Sequence, residues 1–217
     1  MSLQQFINSA QSIEFARAET VANSVSRSGR IIAQTRNSVK PWQFKVIPAA
    51  YLKWSTNRAA IEAVLKADRA EEQTISLGAT AGSSWLVDYQ GAVTVTSGVL
   101  DDITVTSASG NTLTIDVSAI TDGTVIFAVG DLIQPVDHRY PYTVTEQVVK
   151  VTGEDTATVK LNRGYIAQSG YTLSGKGIKV GPACTFRVIA TNLPSVRYLP
   201  GQLVEFTSEM QLVEVVV

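Results

Sequence analysis

The sequence predicts a mainly β protein: a β-sandwich or barrel-like domain with one helix, interrupted by a second, small β-barrel. Three observations carry this reading. Residues 1–77 are rich in Arg, Lys, Gln and Trp, the stretch after Ser76-Leu77-Gly78 turns to Thr, Val, Ser, Gly and Asp, and apolar β-prone runs return past Gly181-Pro182. A texture that leaves and comes back is that of one domain inserted in another. Helical periodicity occurs once, whereas short alternating runs bounded by turn residues recur throughout. Net charge is -1, but it is unevenly placed. Residues 1–88 hold ten Lys/Arg against seven Asp/Glu and residues 89–178 hold five against nine, +3 against -4, as expected of two bodies with different surroundings. The expected boundaries are 1–83 together with 179–217 for the first domain and 84–178 for the insertion.

In chain order, Ile13, Phe15 and Ala16 begin a strand, and Arg30-Ile31-Ile32-Ala33-Gln34-Thr35-Arg36 forms another after Ser28-Gly29. Trp42, Phe44 and Val46 alternate with Gln43, Lys45 and Ile47, the period of a strand with one buried face, and Pro41 and Pro48 mark its ends. Over 56–72 the period becomes helical, with Ala60, Ile61, Val64 and Leu65 on one face and Glu62 placed to pair with Lys66. Ser55, Thr56 and Asn57 are candidate N-caps. Gln73–Leu77 reads as a short strand. From Trp85 onward, short strands follow at about ten-residue spacing, as in a compact barrel or sandwich. They are Ala92–Thr96, Asp102–Thr106, Thr112–Val117, Tyr142–Thr145, Gln147–Val151 and Thr158–Leu161. Gly175-Lys176-Gly177 reads as a flexible return connection, and Phe186–Ile189, Val204–Phe206 and Leu212–Val215 as strands of the first domain's type.

The residues that announce an activity are missing. The single histidine, His138, lies in Val136-Asp137-His138-Arg139-Tyr140 and reads as a turn residue. One His and one Cys exclude a mixed His/Cys/carboxylate metal cluster. Asp101-Asp102 lacks the spaced carboxylates and turn glycine of a calcium loop, and nothing matches a nucleophile elbow or a phosphate-binding loop. Gly175, Gly177 and Gly181 imitate a dinucleotide fingerprint with the wrong last spacing and no following helix. No catalytic residue, metal or cofactor is therefore expected. Cys184, in a Thr-Phe-Arg-Val strand pattern, should be a small buried hydrophobe. The N-terminus lacks the basic and apolar regions of a signal peptide, and no run approaches the ~20 apolar residues of a membrane span. The expectation is a chain made in a cytoplasm, without membrane insertion, soluble until it meets a partner.

A strand set, one helix (Arg58–Leu65) leading into the strand Thr74–Leu77, an inserted barrel and a return to strands resembles the distal tail proteins of long-tailed bacteriophages. Ala128-Val129-Gly130-Asp131-Leu132-Ile133, where a Gly-Asp-Leu turn opens a strand, followed by Tyr142–Thr145 and Val159–Leu161, is similar to the subgroup whose insertion is OB-like. Met1–Gln11 forms an extension that this likeness does not explain. The resemblance implies a homo-oligomeric, hexameric ring at the tail end, with the tail tube protein and the tip or baseplate hub proteins as partners. It implies location in the virion after assembly in the host cytoplasm. Phage DNA would pass through the lumen without specific binding, which fits the absence of a basic footprint.

Elementary physics points the same way, because long strands with too few helices leave edges that another chain must cover. A head-to-tail ring of identical subunits does so without leaving a free edge. Arg and Trp are favoured at such contacts, which makes Arg30, Arg36, Trp42 and Trp54 the interface candidates, the two tryptophans having a core role as alternative. Two rival readings stay open. One is a carbohydrate- or host-surface-binding module that stacks sugars on Tyr140, Tyr142, Tyr165 and Tyr171; the other is a tail-tube or tube-initiator subunit.

Overall fold

The computed structural model describes residues 3–17, 21–25, 31–35, 40–69, 71–78 and 84–216. In chain order the elements begin with helix α1 (Gln4–Asn8), strands β1 (Ala10–Arg17), β2 (Val21–Val25), β3 (Ile31–Thr35), β4 (Trp42–Pro48) and β5 (Leu52–Lys53), helix α2 (Trp54–Leu65) and β6 (Gln73–Ile75). The central stretch carries β7 (Val99–Ser109), β8 (Thr112–Asp116), β9 (Val125–Phe127), β10 (Leu132–Pro135), β11 (Tyr142–Thr143), β12 (Val148–Val149), β13 (Thr156–Lys160) and β14 (Lys176–Val180). The chain closes with β15 (Phe186–Asn192), β16 (Val196–Leu199), β17 (Leu203–Phe206) and β18 (Met210–Glu214). The fold is mainly β, as the alternating runs require.

The first core lies on one face of a five-stranded antiparallel sheet ordered β1-β4-β18-β15-β6. Alternation builds it: Trp42, Phe44 and Val46 of β4, Phe186, Val188 and Ala190 of β15, and Met210 and Leu212 of β18 are all buried. Phe44 meets Phe186 edge-on with ring centroids 4.9 Å apart, and Phe15 stacks on Trp42 at 4.7 Å. Ile61 and Val64 of α2 close the same core. So does the N-terminal segment, where Leu3, Phe6 and Ile7 are buried and Phe6 packs edge-on against Phe206. That segment is a structural plug rather than an appendage. A small sheet, β16-β17-β5, flanks this core, and β2 and β3 pair only with each other among the described strands.

The second core fills a six-stranded antiparallel sheet ordered β11-β10-β14-β7-β8-β13, where an OB-fold has five strands. Leu100, Ile103, Val105, Leu113, Ile115, Phe127, Val159 and Ile178 have no exposed surface. The sheet curls because β7 is interrupted by register shifts, between Val105 and Ser107 against β8 and opposite Gly177/Ile178 of β14, and a bulge bends a strand and raises its twist. Its two ends then meet. Val144, just past β11, bridges Leu161, just past β13, with Thr145 N–H donating to Lys160 O (3.0 Å) and Asn162 N–H to Thr143 O (2.9 Å). At the turn before β10, Gly130 takes φ +97° and the Asp131 carboxylate accepts from Ala128 N–H (2.8 Å) and Gln90 N–H (2.9 Å), so Gly-Asp-Leu does open a strand.

The two breaks in sequence texture touch in space. A Cβ on Gly78 would come within 2.4 Å of Pro182, and one on Gly181 (φ +51°) within 2.3 Å of Val87 O. Ser76 Oγ donates to Pro182 O at 3.0 Å. Adjacent ends are the geometry by which a unit can be inserted into a loop without disturbing its host.

Several local expectations are corrected. Gly175-Lys176-Gly177 is no flexible connection: Lys176 starts β14, which runs between β10 and β7 because Ile178 and Val180 need burial. Ala92–Thr96 forms no strand beyond a bridge from Thr96 to Val99; Val93 and Val95 pack on the second core as coil. Helix α2 starts at Trp54, ahead of the expected caps and without a side-chain cap, because Trp54 N–H is taken by Gln202 O (2.8 Å). Asn57 instead marks a kink, its side chain donating to Lys53 O. Leu65 is exposed and Ala63 buried, while the Glu62–Lys66 pair forms as spacing dictates.

Candidate functional site

Three places on this scaffold concentrate polar or exposed aromatic groups. The first joins the two cores. Arg163 follows β13 and Glu214 ends β18, and both side chains are wholly buried. The guanidinium forks onto the carboxylate, Nη2 to Oε1 at 2.7 Å and Nη1 to Oε2, and donates further to Pro141 O (2.8 Å) and Lys40 O (3.0 Å). Glu214 Oε2 also accepts from Trp42 N–H (3.1 Å). Arg163 lies over the Tyr142 and Trp42 rings at 5.3 and 6.0 Å. A bidentate, charge-assisted pair of this kind holds geometry. With neither group open to solvent, it holds the cores together and offers no proton to a substrate.

The second is the His138 nest. The ring is buried between Tyr165 (5.1 Å), Tyr171 (5.0 Å), Tyr140 (5.4 Å) and Tyr142 (6.0 Å). Tyr140 N–H donates to Nδ1 (3.3 Å), which leaves Nε2 to donate to Ile166 O (3.1 Å). Burial holds its pKa below the ordinary imidazole value, and the nearby Arg163 charge adds to this. His138 is a neutral structural residue: the chain does turn there, but the side chain points into the core. The same cluster removes most of the expected sugar platform. Tyr140 and Tyr142 are buried, Tyr142 Oη accepts from Ile166 N–H (3.0 Å), and Tyr171 Oη donates to Val136 O (2.7 Å). Burial drives the Tyr142 and Tyr171 phenols up.

The third is an apolar groove of about 230 Å³ between α2 and the small sheet, lined by Trp54, Tyr198, Leu199, Gln202, Leu203 and Val204. Tyr198 is 61 % exposed and meets Trp54 edge-on at 6.0 Å. A larger groove of about 430 Å³ crosses the outer face of the five-stranded sheet, where Lys45 sits between Glu209 (3.0 Å) and Glu14 (3.8 Å).

The four interface candidates are not brought together. Arg30 and Arg36 lie outside the described residues. Trp42 is 4 % exposed and belongs to the first core; Trp54 is half-buried at the apolar groove. Cys184 is buried as expected, its thiol pushed up by burial. Sequence reasoning missed Arg163, Glu214, Tyr198 and Leu203. Only the last two left a signal, as large apolar residues flanking the Leu199-Pro200-Gly201 turn. Among the described residues no group of three or more His, Cys, Asp or Glu is placed to hold a metal ion, and no helix is long and apolar enough to cross a membrane. No family model matches the chain, and no curated protein matches it.

Proposed function

We propose that this chain is a structural virion protein, one subunit of a hexameric ring at the distal end of a phage tail that links the tail tube to the tip or baseplate hub. One observation carries the reading: the two bodies differ in their edges. The six-stranded sheet meets itself, whereas the five-stranded sheet ends in β1 and β6, and β2–β3 is a ribbon with no described partner strand. An isolated two-stranded ribbon is marginal in water, and long open edges aggregate unless covered. Copies of the chain joined head to tail cover them in a closed annulus. The second body then projects as a docking surface for other tip components, fixed to the ring by the Arg163–Glu214 pair. In this reading the protein performs no catalysis, uses no cofactor, and lets DNA pass without gripping it, in keeping with its net charge of -1.

Light scattering on the purified chain, followed by negative-stain imaging, tests this. A mass near six protomers with annular particles is the expected result, and Arg30→Glu with Arg36→Glu should lower that mass. A monomer at high concentration, with no affinity for tail components, overturns the proposal.

A further inference from the structure

The small sheet offers a second kind of edge. Strand β16 is terminal in the order β16-β17-β5, and its register with β17 pairs Val196 with Phe206, Arg197 with Glu205, Tyr198 with Val204 and Leu199 with Leu203. Thr207 N–H donates to Ser195 O at 3.0 Å, so the pair one step before the strand faces β17. Antiparallel pairing alternates, which makes Arg197 and Leu199 the next residues bonded to β17. The opposite side of β17 agrees: Trp54 N–H bonds Gln202 O, and Val204 pairs with Leu52 of β5. Val196 and Tyr198 therefore turn their N–H and C=O groups outward, where no described strand meets them. The other border of this sheet is blocked, because the two-residue β5 runs straight into α2.

An open edge beside an apolar groove is the arrangement by which a sheet accepts an added strand, main chain to main chain, with alternate side chains seated in pockets. The groove walls supply the pocket. Trp54, Tyr198 and Leu203 form it, and Arg58 extends it by lying 5.8 Å over the Trp54 ring. The rim supplies a sign. Lys53, Arg58 and Arg197 stand exposed on β5, α2 and β16, with the Arg58 and Arg197 side chains 71 % and 65 % accessible. Against them stand two more enclosed carboxylates, Glu62 of α2, paired with Arg58 and Lys66, and Glu205 of β17, paired with Arg197, so the rim keeps an excess of positive charge.

We infer that the outer edge of β16 with the Trp54–Tyr198 groove is a docking site for an extended segment of another protein, carrying a large apolar side chain for the groove and acidic residues for the rim. This goes beyond the ring reading and does not depend on it. It also gives exposed Tyr198 a role at an edge that no described strand meets.

The test uses the full chain, immobilised and panned against a bacterial-display library of random twelve-residue peptides. Enriched peptides should alternate apolar residues with Asp or Glu, and their affinity, read by fluorescence anisotropy of synthetic copies, should fall as salt rises. Arg197→Glu should weaken them by about tenfold or more. The decisive pair is Tyr198→Ala against Tyr198→Pro: both lose the ring, but only the second loses the outward N–H, at an edge position where proline is tolerated. Tyr198→Pro should bind more weakly than Tyr198→Ala while both unfold at the same denaturant concentration as the parent. Failure to enrich any peptide, enrichment of neutral or basic ones, or equal binding by the two variants would overturn the proposal. So would self-association of the chain abolished by Tyr198→Pro, since the occupant would then be a second copy. A chain that forms no ring yet captures acidic peptides would sink the ring reading and leave this one standing.

Discussion

The two cores solve the same problem, the exposed edge of a β-sheet, in opposite ways. The six-stranded sheet bends at its bulges until Val144 meets Leu161; inside it His138 is held between Tyr140 and Ile166, and Asp131 accepts from two backbone N–H groups. The five-stranded sheet is packed almost wholly by apolar and aromatic side chains, and among the described strands nothing pairs with the outer sides of β1 and β6 or with the separate β2–β3 ribbon. An edge paired within its own chain needs no cover; an open one does. In the reading proposed here, the open body is the one that assembles and the closed one is displayed. The buried Arg163–Glu214 pair joins the two.

The largest expected effect bears on that pair. Glu214→Gln or Arg163→Met leaves a buried charge without its partner and should cost about 3–5 kcal/mol in urea unfolding. A cost below about 1 kcal/mol would mean the cores are held by packing alone. The double variant Arg163→Met with Glu214→Leu should recover most of the loss, because a matched apolar pair removes the desolvation penalty on both ions. Recovery of stability with loss of a fixed orientation between the bodies, read by small-angle scattering, would sharpen the role from stabiliser to positioner.

Next in size is Gly181→Ala. It places a Cβ against Val87 O in a left-handed backbone and should cost about 2–3 kcal/mol at the crossing between the bodies. An unaffected midpoint would show that the crossing yields and that the two bodies are loosely joined.

The closed body should also be the acid-sensitive one. His138 is held neutral, burial keeping its pKa below the ordinary imidazole value of 6.5. The unfolded chain then binds a proton that the fold refuses. Its contribution is fully present above pH 6.5 and declines as pH falls below that value toward the depressed folded pKa. The stability difference between the parent and His138→Gln, measured from pH 8 to pH 5, should shrink across this window; a flat difference would remove His138 from the account. Smallest of all, Tyr198→Ala should change stability by no more than about 0.5 kcal/mol, since its ring is mostly in water. A larger loss would make Tyr198 part of the first core rather than of a surface.

Much of the architecture was legible in the chain. The alternation of Trp42, Phe44 and Val46 marked a strand with one buried face, and β4 has it. The spacing of Ala60, Ile61 and Val64 marked the long helix, the Gly-Asp-Leu turn marked the start of β10, and the texture breaks at Gly78 and Gly181-Pro182 marked two segments that touch. Glycines misled where local rules were applied alone: Gly175 and Gly177 suggested a loose connection, but Ile178 and Val180 draw the segment into the centre of a sheet. Likewise the tyrosines suggested a sugar platform, and all four, Tyr140, Tyr142, Tyr165 and Tyr171, have rings packed around one histidine and hydroxyls or backbone groups already bonded.

Sequence alone determined that this polypeptide is mainly β, where its period changes, and which side of β4 faces inward, because these properties depend on neighbours a few residues away. Tertiary structure decided that Arg163 reaches Glu214 across 51 positions, that one sheet closes while the other stays open, and that Tyr198 lies beside an unpaired strand edge. Those outcomes depend on register and curvature accumulated over whole sheets, and no short stretch of residues encodes them.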